Sequence, residues 1–189
     1  MSSQPDSMTA TTDEVLMRSY QQGNLQALET LFARHARAVY TFFLYTTLSG
    51  TAAERLSQLA WLEAHKQRAS YDGSQFLRWL LTISAQVRRE HEPPAAKEHD
   101  NKTAPPVPPF LTDNPLDRAL AAMADSYREV LVLHRLLQLP FDDIAAVLGA
   151  TEAAVKNRAQ QGYVQLAEVA QKAAPVLPVS SNSQPRPMP

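Results

Sequence analysis

Apolar residues recur at three- and four-residue spacing through residues 12–92, and this spacing predicts amphipathic helices. The pattern breaks at Gly23-Asn24, at Ser49-Gly50 and in a loop at 71–74, where the residue types favour turns. These breaks divide the block into four helices, the last of which carries a wide apolar face over residues 75–91. We find no convincing strand, so the pattern predicts a compact all-α unit.

A second helical block covers residues 116–172, with helices near 116–123 and 127–137. A short amphipathic segment at 141–148 follows, and Gly149 stands where a helix ends in a left-handed residue. Thr151 is a helix-capping residue type and begins another helix. Two short helices separated by such a turn are typical of a helix-turn-helix.

The sequence of the last helix predicts a surface that can enter the major groove of DNA. Its spacing turns four residues inward and leaves the first-turn acid and several polar side chains outside. A structural helical hairpin without DNA binding remains the alternative, since this pattern also occurs in all-α proteins. The inward residues are Val155, Ala159, Gly162 and Leu166, and the outward ones are Glu152, Lys156, Asn157 and Gln160.

Prolines separate the two blocks, since most of the 14 prolines lie between positions 93 and 115 or after 175. Residues 93–115 are too rich in proline to sustain a helix and predict a semi-extended linker. The polar start and the Pro/Ser-rich end predict a disordered leader and tail. The predicted division is a leader at 1–11, a helical domain at 12–92, the linker at 93–115, a helix-turn-helix domain at 116–172 and a tail at 173–189.

Composition narrows the function classes. The chain has no cysteine, and its five histidines show no metal-ligand spacing, so we expect no metal and no cofactor. No nucleophile motif or phosphate-binding loop occurs, so we expect no enzymatic activity. Neither a signal peptide nor a membrane span is visible, which predicts a cytoplasmic protein. A net charge of −1 favours DNA binding shared with a larger partner, because solo binding needs a surplus of cations.

Several motifs resemble the extracytoplasmic-function (ECF) group of bacterial sigma factors. The family pattern includes an Ala-Leu start, a Tyr/Arg-Arg-Glu-Val-Leu-x-Leu helix, Glu-Ile-Ala-x-x-Leu-Gly and Thr-Val-Lys-x-Arg. A Trp-Leu-x-x-Ile helix and an Ala-Glu-Asp-Leu-x-Gln-Glu motif belong to its first domain. The matching segments here are Ala119-Leu120, residues 127–133, 143–149, 154–158 and 76–83, with Glu54, Leu56 and Gln58.

This resemblance implies a function for each block. The first domain binds the clamp of core RNA polymerase and contacts melted promoter DNA, and the second reads the −35 element. An anti-sigma factor is a further possible partner. The resemblance implies polymerase contacts at Glu54, Arg55, Gln58 and Leu59, promoter contacts at Thr151, Glu152, Ala153, Lys156, Asn157, Arg158 and Gln160, and single-strand contacts at Tyr71 and Asp72. The basic pair Arg88 and Arg89 at the end of the fourth helix adds two further candidates for single-strand contact.

The chain departs from the family pattern at four places. Arg55 and Leu59 replace acids in the clamp motif, which reduces its negative charge. Ser84-Ala85-Gln86 replaces Ala-Arg-Asn, and Gln161-Gly162-Tyr163 replaces Arg-Ala-Arg, so basic side chains are lost. Arg55, Leu59 and the loss of the Arg-x-Arg motif at 161–163 support an alternative function, a degenerate sigma-like regulator that acts through protein contacts without initiating transcription.

Other interpretations of the individual residues stay open. Lys156 and Arg158 lie two apart and cannot share one helix face, so they can also be two solvated charges. Asn157 and Gln160 can bind an adenine edge bidentately or be ordinary surface residues. Leu59 extends an apolar stripe and can belong to the core. Arg88-Arg89 ends a helix, where cations also favour the dipole.

Overall fold

A computed structural model describes residues 11–91 and 115–173. These residues form helices and turns without any strand, so the all-α prediction is confirmed for them. The predicted linker except Pro115, which begins a helix, and most of the predicted leader and tail lie outside the described residues. No helix in the described ranges is long and apolar enough to span a membrane.

The first block contains four α-helices and a short 3-10 turn. Side chains cap three of the helices at the positions where the sequence pattern breaks. Thr12 Oγ1 accepts from the Val15 amide, Asn24 Oδ1 from Gln26 at 3.1 Å, and Ser49 Oγ from Ala52 at 3.3 Å. The helices are α1 (Asp13–Gln21), α2 (Leu25–Thr47), α3 (Gly50–Gln67) and α4 (Phe76–His91), with the 3-10 turn at Arg68–Ser70.

The second block contains four further helices. The helix predicted at 127–137 is instead α6 followed by one π-helical turn at Val132–Leu136. Gln138 then adopts a left-handed conformation with φ 56°, and Pro140 cannot continue a helix. The helices are α5 (Pro115–Ala121), α6 (Asp125–Leu131), α7 (Phe141–Leu148) and α8 (Glu152–Ala173).

Each block buries its own set of apolar side chains. The first block has an aromatic and aliphatic core around Phe42, Phe43 and Leu56, in which the two phenylalanine rings meet edge to face. In the second block, Ile144 and Val155 are completely buried between α7 and α8. Phe42 and Phe43, both completely buried, therefore contribute to packing of the first block.

The two blocks also contact each other. Helix α4 packs against α7, and α2 packs against α6 and the π-helical turn. Leu48, at the left-handed end of α2, packs against Ala121 at the end of α5. As a result, the buried side chains of both blocks form one continuous cluster through the contact of α4 with α7.

Candidate nucleic-acid interface

The turn between α7 and α8 has the geometry that its sequence predicts. Gly149 is left-handed, with φ 63° and ψ 37°, a conformation that glycine adopts without steric cost. The amide of Ala150 donates to the carbonyl of Ala145 at 3.0 Å and so closes the end of α7. Thr151 Oγ1 accepts from the Ala154 amide at 3.2 Å and caps α8.

The inner face of α8 packs against the other helices of the second block. Val155 and Ala159 are 0% and 2% exposed, and Gly162 is also buried. A Cβ atom added to Gly162 would lie 3.1 Å from Leu131 Cδ1, so the absence of a side chain lets α8 approach α6 closely. Leu166 is half-buried and packs against the same cluster. The predicted inward face of α8 is therefore confirmed.

The outer face of α8 is polar and open to solvent. Ala153, Lys156, Asn157 and Gln160 are exposed at spacings that place them on one side of the helix. Lys156 Nζ lies 2.6 Å from Glu152 Oε1, one helical turn before it. This exposed ion pair is weak, so Lys156 can exchange it for a phosphate or a base edge. A helix face of this kind suits the major groove.

The remaining candidates on α8 lie at the edge of this face. Thr151 is exposed at the start of the helix, and Arg158 is half-buried on a different side from Lys156. Tyr163 turns toward the other helices of the second block. Its ring meets the ring of His134 edge-on, with the two ring centroids 6.5 Å apart. Burial raises the pKa of Tyr163. The structure thus uses two of the positions 161–163 for packing, because Gly162 and Tyr163 both face α6 and its continuation.

The candidate polymerase contacts lie along α3. Glu54, Arg55 and Gln58 are exposed on this helix, at spacings of one and three residues. Leu59 is only partly exposed and packs against the core of the first block. Three of the four candidates are therefore exposed to solvent, and Leu59 contributes mainly to packing.

The candidates for single-strand contact divide into exposed and buried side chains. Tyr71 is only 7% exposed, donates its hydroxyl hydrogen bond to the Ser74 carbonyl, and meets the Trp79 ring edge-on at 5.3 Å. Burial raises the pKa of Tyr71 to about 12. Asp72 is exposed, and its hydrogen bonds to Ser74 lower its pKa. The structure therefore leaves Asp72 in solvent and uses the Tyr71 ring to pack the loop before α4.

The two arginines at the end of α4 are in different environments. Arg89 is exposed, whereas Arg88 is only 8% exposed. Arg88 Nη1 donates to Glu129 Oε1 of α6 at 3.1 Å, and Nη2 donates to the Thr46 carbonyl of α2 at 3.2 Å. In this conformation only Arg89 can meet a phosphate without a rearrangement.

Sequence reasoning did not identify the polar contacts between the two blocks. Arg78 of α4 pairs with Asp143 of α7, with Nη1 3.2 Å from Oδ1. Tyr45 of α2 donates to Asp117 Oδ1 of α5 at 2.7 Å. The available signal was the pair of arginines on α4, spaced to lie on one helix side, but nothing in the sequence names their partners. The residues that the structure describes contain no cluster of side chains able to hold a metal ion.

Comparisons with known proteins agree with this architecture. Residues 113–166 match the family described as Sigma-70, region 4. The chain is 32% identical over 164 residues to the RNA polymerase sigma factor CarQ of Myxococcus xanthus, covering 81% of this chain and 94% of that relative. It is 24% identical over 141 residues to the ECF RNA polymerase sigma factor SigM of Bacillus subtilis (strain 168), covering 69% of this chain and 86% of SigM.

Two solved structures share the fold. CnrH, in complex with the cytosolic domain of CnrY, superposes with a TM-score of 0.67 at 21% identity, covering 86% of this chain and 99% of the CnrH chain. The sigma factor RpoE of Bartonella quintana, in complex with the anti-sigma factor NepR, gives a TM-score of 0.59 at 20% identity, covering 78% and 98% of the two chains. At these identities, the likeness concerns the fold alone.

Proposed function

Because the chain belongs to the ECF family of RNA polymerase sigma factors, we propose that its two helical blocks divide promoter recognition between them. The chain acts in transcription initiation as a sigma factor, with core RNA polymerase and promoter DNA as its partners. In this proposal the second block reads the upstream duplex element with α8, and the first block binds polymerase through α3. The observation that carries the proposal is that α8 exposes a polar face to solvent while its opposite face is buried against the second block's other helices.

The recognition helix combines charge with groups that can read bases. Lys156 supplies a cation for a phosphate or for the O6 and N7 acceptors of guanine. Asn157 and Gln160 carry amides that can pair with the N6 and N7 atoms of adenine. The net charge of −1 offers little non-specific attraction to DNA, so polymerase supplies much of the affinity of the complex.

The exposed part of α3 is the surface that we assign to polymerase. Glu54 and Gln58 keep the polar character of the family motif, and Arg55 changes the sign of one charge between them. A cation that faces a basic partner surface is a like-charge contact, which reduces the rate and the strength of association. We therefore assign this chain a weakened contact with the basic clamp, not an absent one.

The remaining parts of the proposal concern catalysis, the cellular location of the protein and a further protein partner. Its relatives are sigma factors and not enzymes, and we assign no catalytic step or cofactor to this chain. We place the protein in the cytoplasm, where its polymerase partner acts. An anti-sigma factor is a proposed partner, because RpoE of Bartonella quintana was solved with NepR.

Transcription reconstituted from purified components tests this function. Core RNA polymerase, the chain and a library of genomic fragments should give transcripts whose start sites share an upstream element. Lys156→Ala should reduce these transcripts about tenfold, the effect expected for losing a specific groove contact.

Arg37→Ala is the control, because Arg37 is also an exposed cation and lies on α2, outside the surfaces that we assign to polymerase and to DNA. It removes the same charge from the first block and should leave transcription unchanged. A chain that binds polymerase but yields no specific start site would favour the alternative function, a regulator that does not initiate transcription.

A further inference from the structure

Glu152 is an acid on the helix face that we assign to DNA. It is the first residue of α8, and its side chain is 50% exposed beside that of Lys156, which is 58% exposed. The N-terminal residues of a recognition helix are the ones that reach base edges. A lone carboxylate at this position would be repelled by the phosphates that line the groove. The acid must therefore be neutralised if α8 is to enter the groove.

Lys156 supplies this neutralisation from the same helix. Its Nζ atom lies 2.6 Å from Glu152 Oε1, and the four-residue spacing places both side chains on one face. Within the described residues, neither charged group has a second ion-pair or hydrogen-bond partner, so further N–H donors and a carboxylate oxygen stay available. The pair has no net charge and presents an ammonium donor beside a carboxylate acceptor.

A G·C base pair carries the complementary pattern on its major-groove edge. Guanine offers the O6 and N7 acceptors, and cytosine offers the N4 amino donor. O6 and N4 are hydrogen-bonded to each other and lie about 2.9 Å apart, close to the spacing of the two charged atoms. Lys156 can therefore donate to guanine while Glu152 accepts from the cytosine of the same base pair, and the ion pair does not have to separate.

An A·T base pair fits the same two side chains less well. It also places a donor beside an acceptor, adenine N6 beside thymine O4. With thymine facing the ammonium group, however, the C5-methyl group takes the place of the N7 acceptor, and adenine then turns its own N7 acceptor toward the carboxylate. A G·C pair of the opposite direction sets like groups against each other at both positions. The pattern therefore favours one base pair in one direction.

We propose that Glu152 and Lys156 act together to recognise one G·C pair of the upstream duplex element, with Lys156 on guanine and Glu152 on cytosine. This assignment rests on the proposed function, because it names the base pair that the polar face of α8 selects. Glu152 is then a specificity-determining residue as well as an acid that suits the helix dipole. A pair that only stabilised α8 would leave base preference independent of residue 152.

Selection of promoter duplexes measures this preference. The full chain with core RNA polymerase is offered fragments whose upstream element is randomised, and the bound duplexes are sequenced. The wild type should enrich a G·C pair of one direction at one position. Glu152→Gln introduces an amide that can pair with adenine N6 and N7, so the preference for cytosine over adenine at that position should fall about tenfold. An unchanged preference would overturn the proposal.

Glu168→Gln is the matched control for this variant. Glu168 is an exposed acid of the same helix and lies roughly 24 Å further along its axis than Glu152. The control loses the same charge and should keep the wild-type preference at every position. Equal changes of preference in both variants would be an effect of net charge alone and would contradict a contact between Glu152 and cytosine.

Exchange of the two side chains separates base recognition from helix stability. Glu152→Lys combined with Lys156→Glu keeps an ion pair, although in the order that helices favour less. The double variant should enrich the same base pair in the reverse direction, because donor and acceptor have changed places. Circular dichroism checks that its helix content is that of the wild type. A folded double variant that kept the original direction would show that the pair only stabilises α8.

Base analogues in the selected pair identify the contacting atoms. 7-Deazaguanine lacks the N7 acceptor and should weaken binding of the wild type several-fold, but not binding of Lys156→Ala. Hypoxanthine in place of guanine removes only the minor-groove amino group and should bind as guanine does. Equal binding of 7-deazaguanine and guanine would overturn the contact of Lys156. If the wild type with polymerase selected no upstream sequence at all, the proposed function would fail as well, whereas selection that does not depend on residues 152 and 156 would overturn this assignment alone.

Discussion

Helices α4 and α8 carry similar basic side chains but present them differently. In α8, one face is buried and the opposite one is open, so Lys156 lies in solvent with an exposed Glu152 beside it. In α4, one face packs against the other helices of the first block, and another face packs against the second block. Arg88 lies on this latter face and is buried in ion pairs. Residue type alone therefore does not tell whether a cation is available to DNA.

The comparison also explains the departures from the family pattern. Ala85 replaces a basic residue on α4 at a position that is only 1% exposed. Gly162 and Tyr163, in the altered triplet of α8, turn toward α6 and the π-helical turn. At both places, loss of basic character accompanies closer packing. The altered motifs are therefore compatible with a stable fold and with the exposed polar face of α8.

The largest expected effect comes from disturbing the packing of α8 against α6. Gly162→Val places a branched side chain against Leu131, where even a Cβ atom would lie at 3.1 Å. We expect the second block to lose about 1–3 kcal/mol of unfolding free energy through overpacking, and duplex binding to fall with it. Denaturant unfolding, monitored by circular dichroism, measures the loss.

The control for this change is Gln161→Val, which introduces the same residue at an exposed position one step earlier. Its unfolding free energy should change by less than about 0.5 kcal/mol, as is usual for surface substitutions. If both variants were equally stable, α8 would not depend on its close approach to α6.

High pH should weaken the contact between the blocks. Burial first, and then the hydrogen bond and charge of Asp117, raise the pKa of Tyr45 to about 12. The folded chain thus holds this proton more tightly than the unfolded chain, whose tyrosines titrate near pH 10. The stability contributed by Tyr45 is complete below about pH 10 and is lost as the pH rises toward 12.

Fluorescence energy transfer between dyes attached at Ala69→Cys in the first block and Ala122→Cys in the second should therefore fall over this alkaline range. Tyr45→Phe should remove the part of the fall that is due to this ionisation. Tyr71→Phe is the comparison, because the pKa of Tyr71 is also raised to about 12, but its hydroxyl bonds within the first block. If Tyr71→Phe suppressed the fall as strongly as Tyr45→Phe, the effect would not arise at the contact between the blocks.

The smallest effect concerns the polymerase surface. Arg55→Asp restores the family's acid on α3 and should strengthen binding to core polymerase several-fold, mainly through a faster association rate. Arg37→Asp makes the same charge change on an exposed residue of α2 and should leave that affinity nearly constant. Surface plasmon resonance at two salt concentrations separates the two. Unchanged binding by Arg55→Asp would remove α3 from the polymerase surface.

Much of the fold could be predicted from the sequence because its signals are local. Gly149 and Thr151 mark the turn of the helix-turn-helix by their conformational preferences alone, and the spacing from Val155 to Gly162 identifies the buried side of α8. The four helices of the first block follow from similar signals, including the caps at Asn24 and Ser49.

The burial of Tyr71 and Arg88 could not be predicted in this way. A loop tyrosine before a helix is consistent with a solvent-facing ring, and only the tertiary structure shows that Tyr71 packs on Trp79. The partners of Arg88 lie on α2 and α6, and Glu129 is 41 residues away in the sequence. Such pairing depends on how the blocks dock, which no local pattern specifies.

Binding to core RNA polymerase tests the central claim most directly. The purified chain and core polymerase are mixed at moderate salt and separated by gel filtration. As a sigma factor, the wild-type chain should co-elute with the polymerase, and the complex should start transcription at specific promoters. A folded, helical chain that elutes entirely apart from the polymerase would contradict the account.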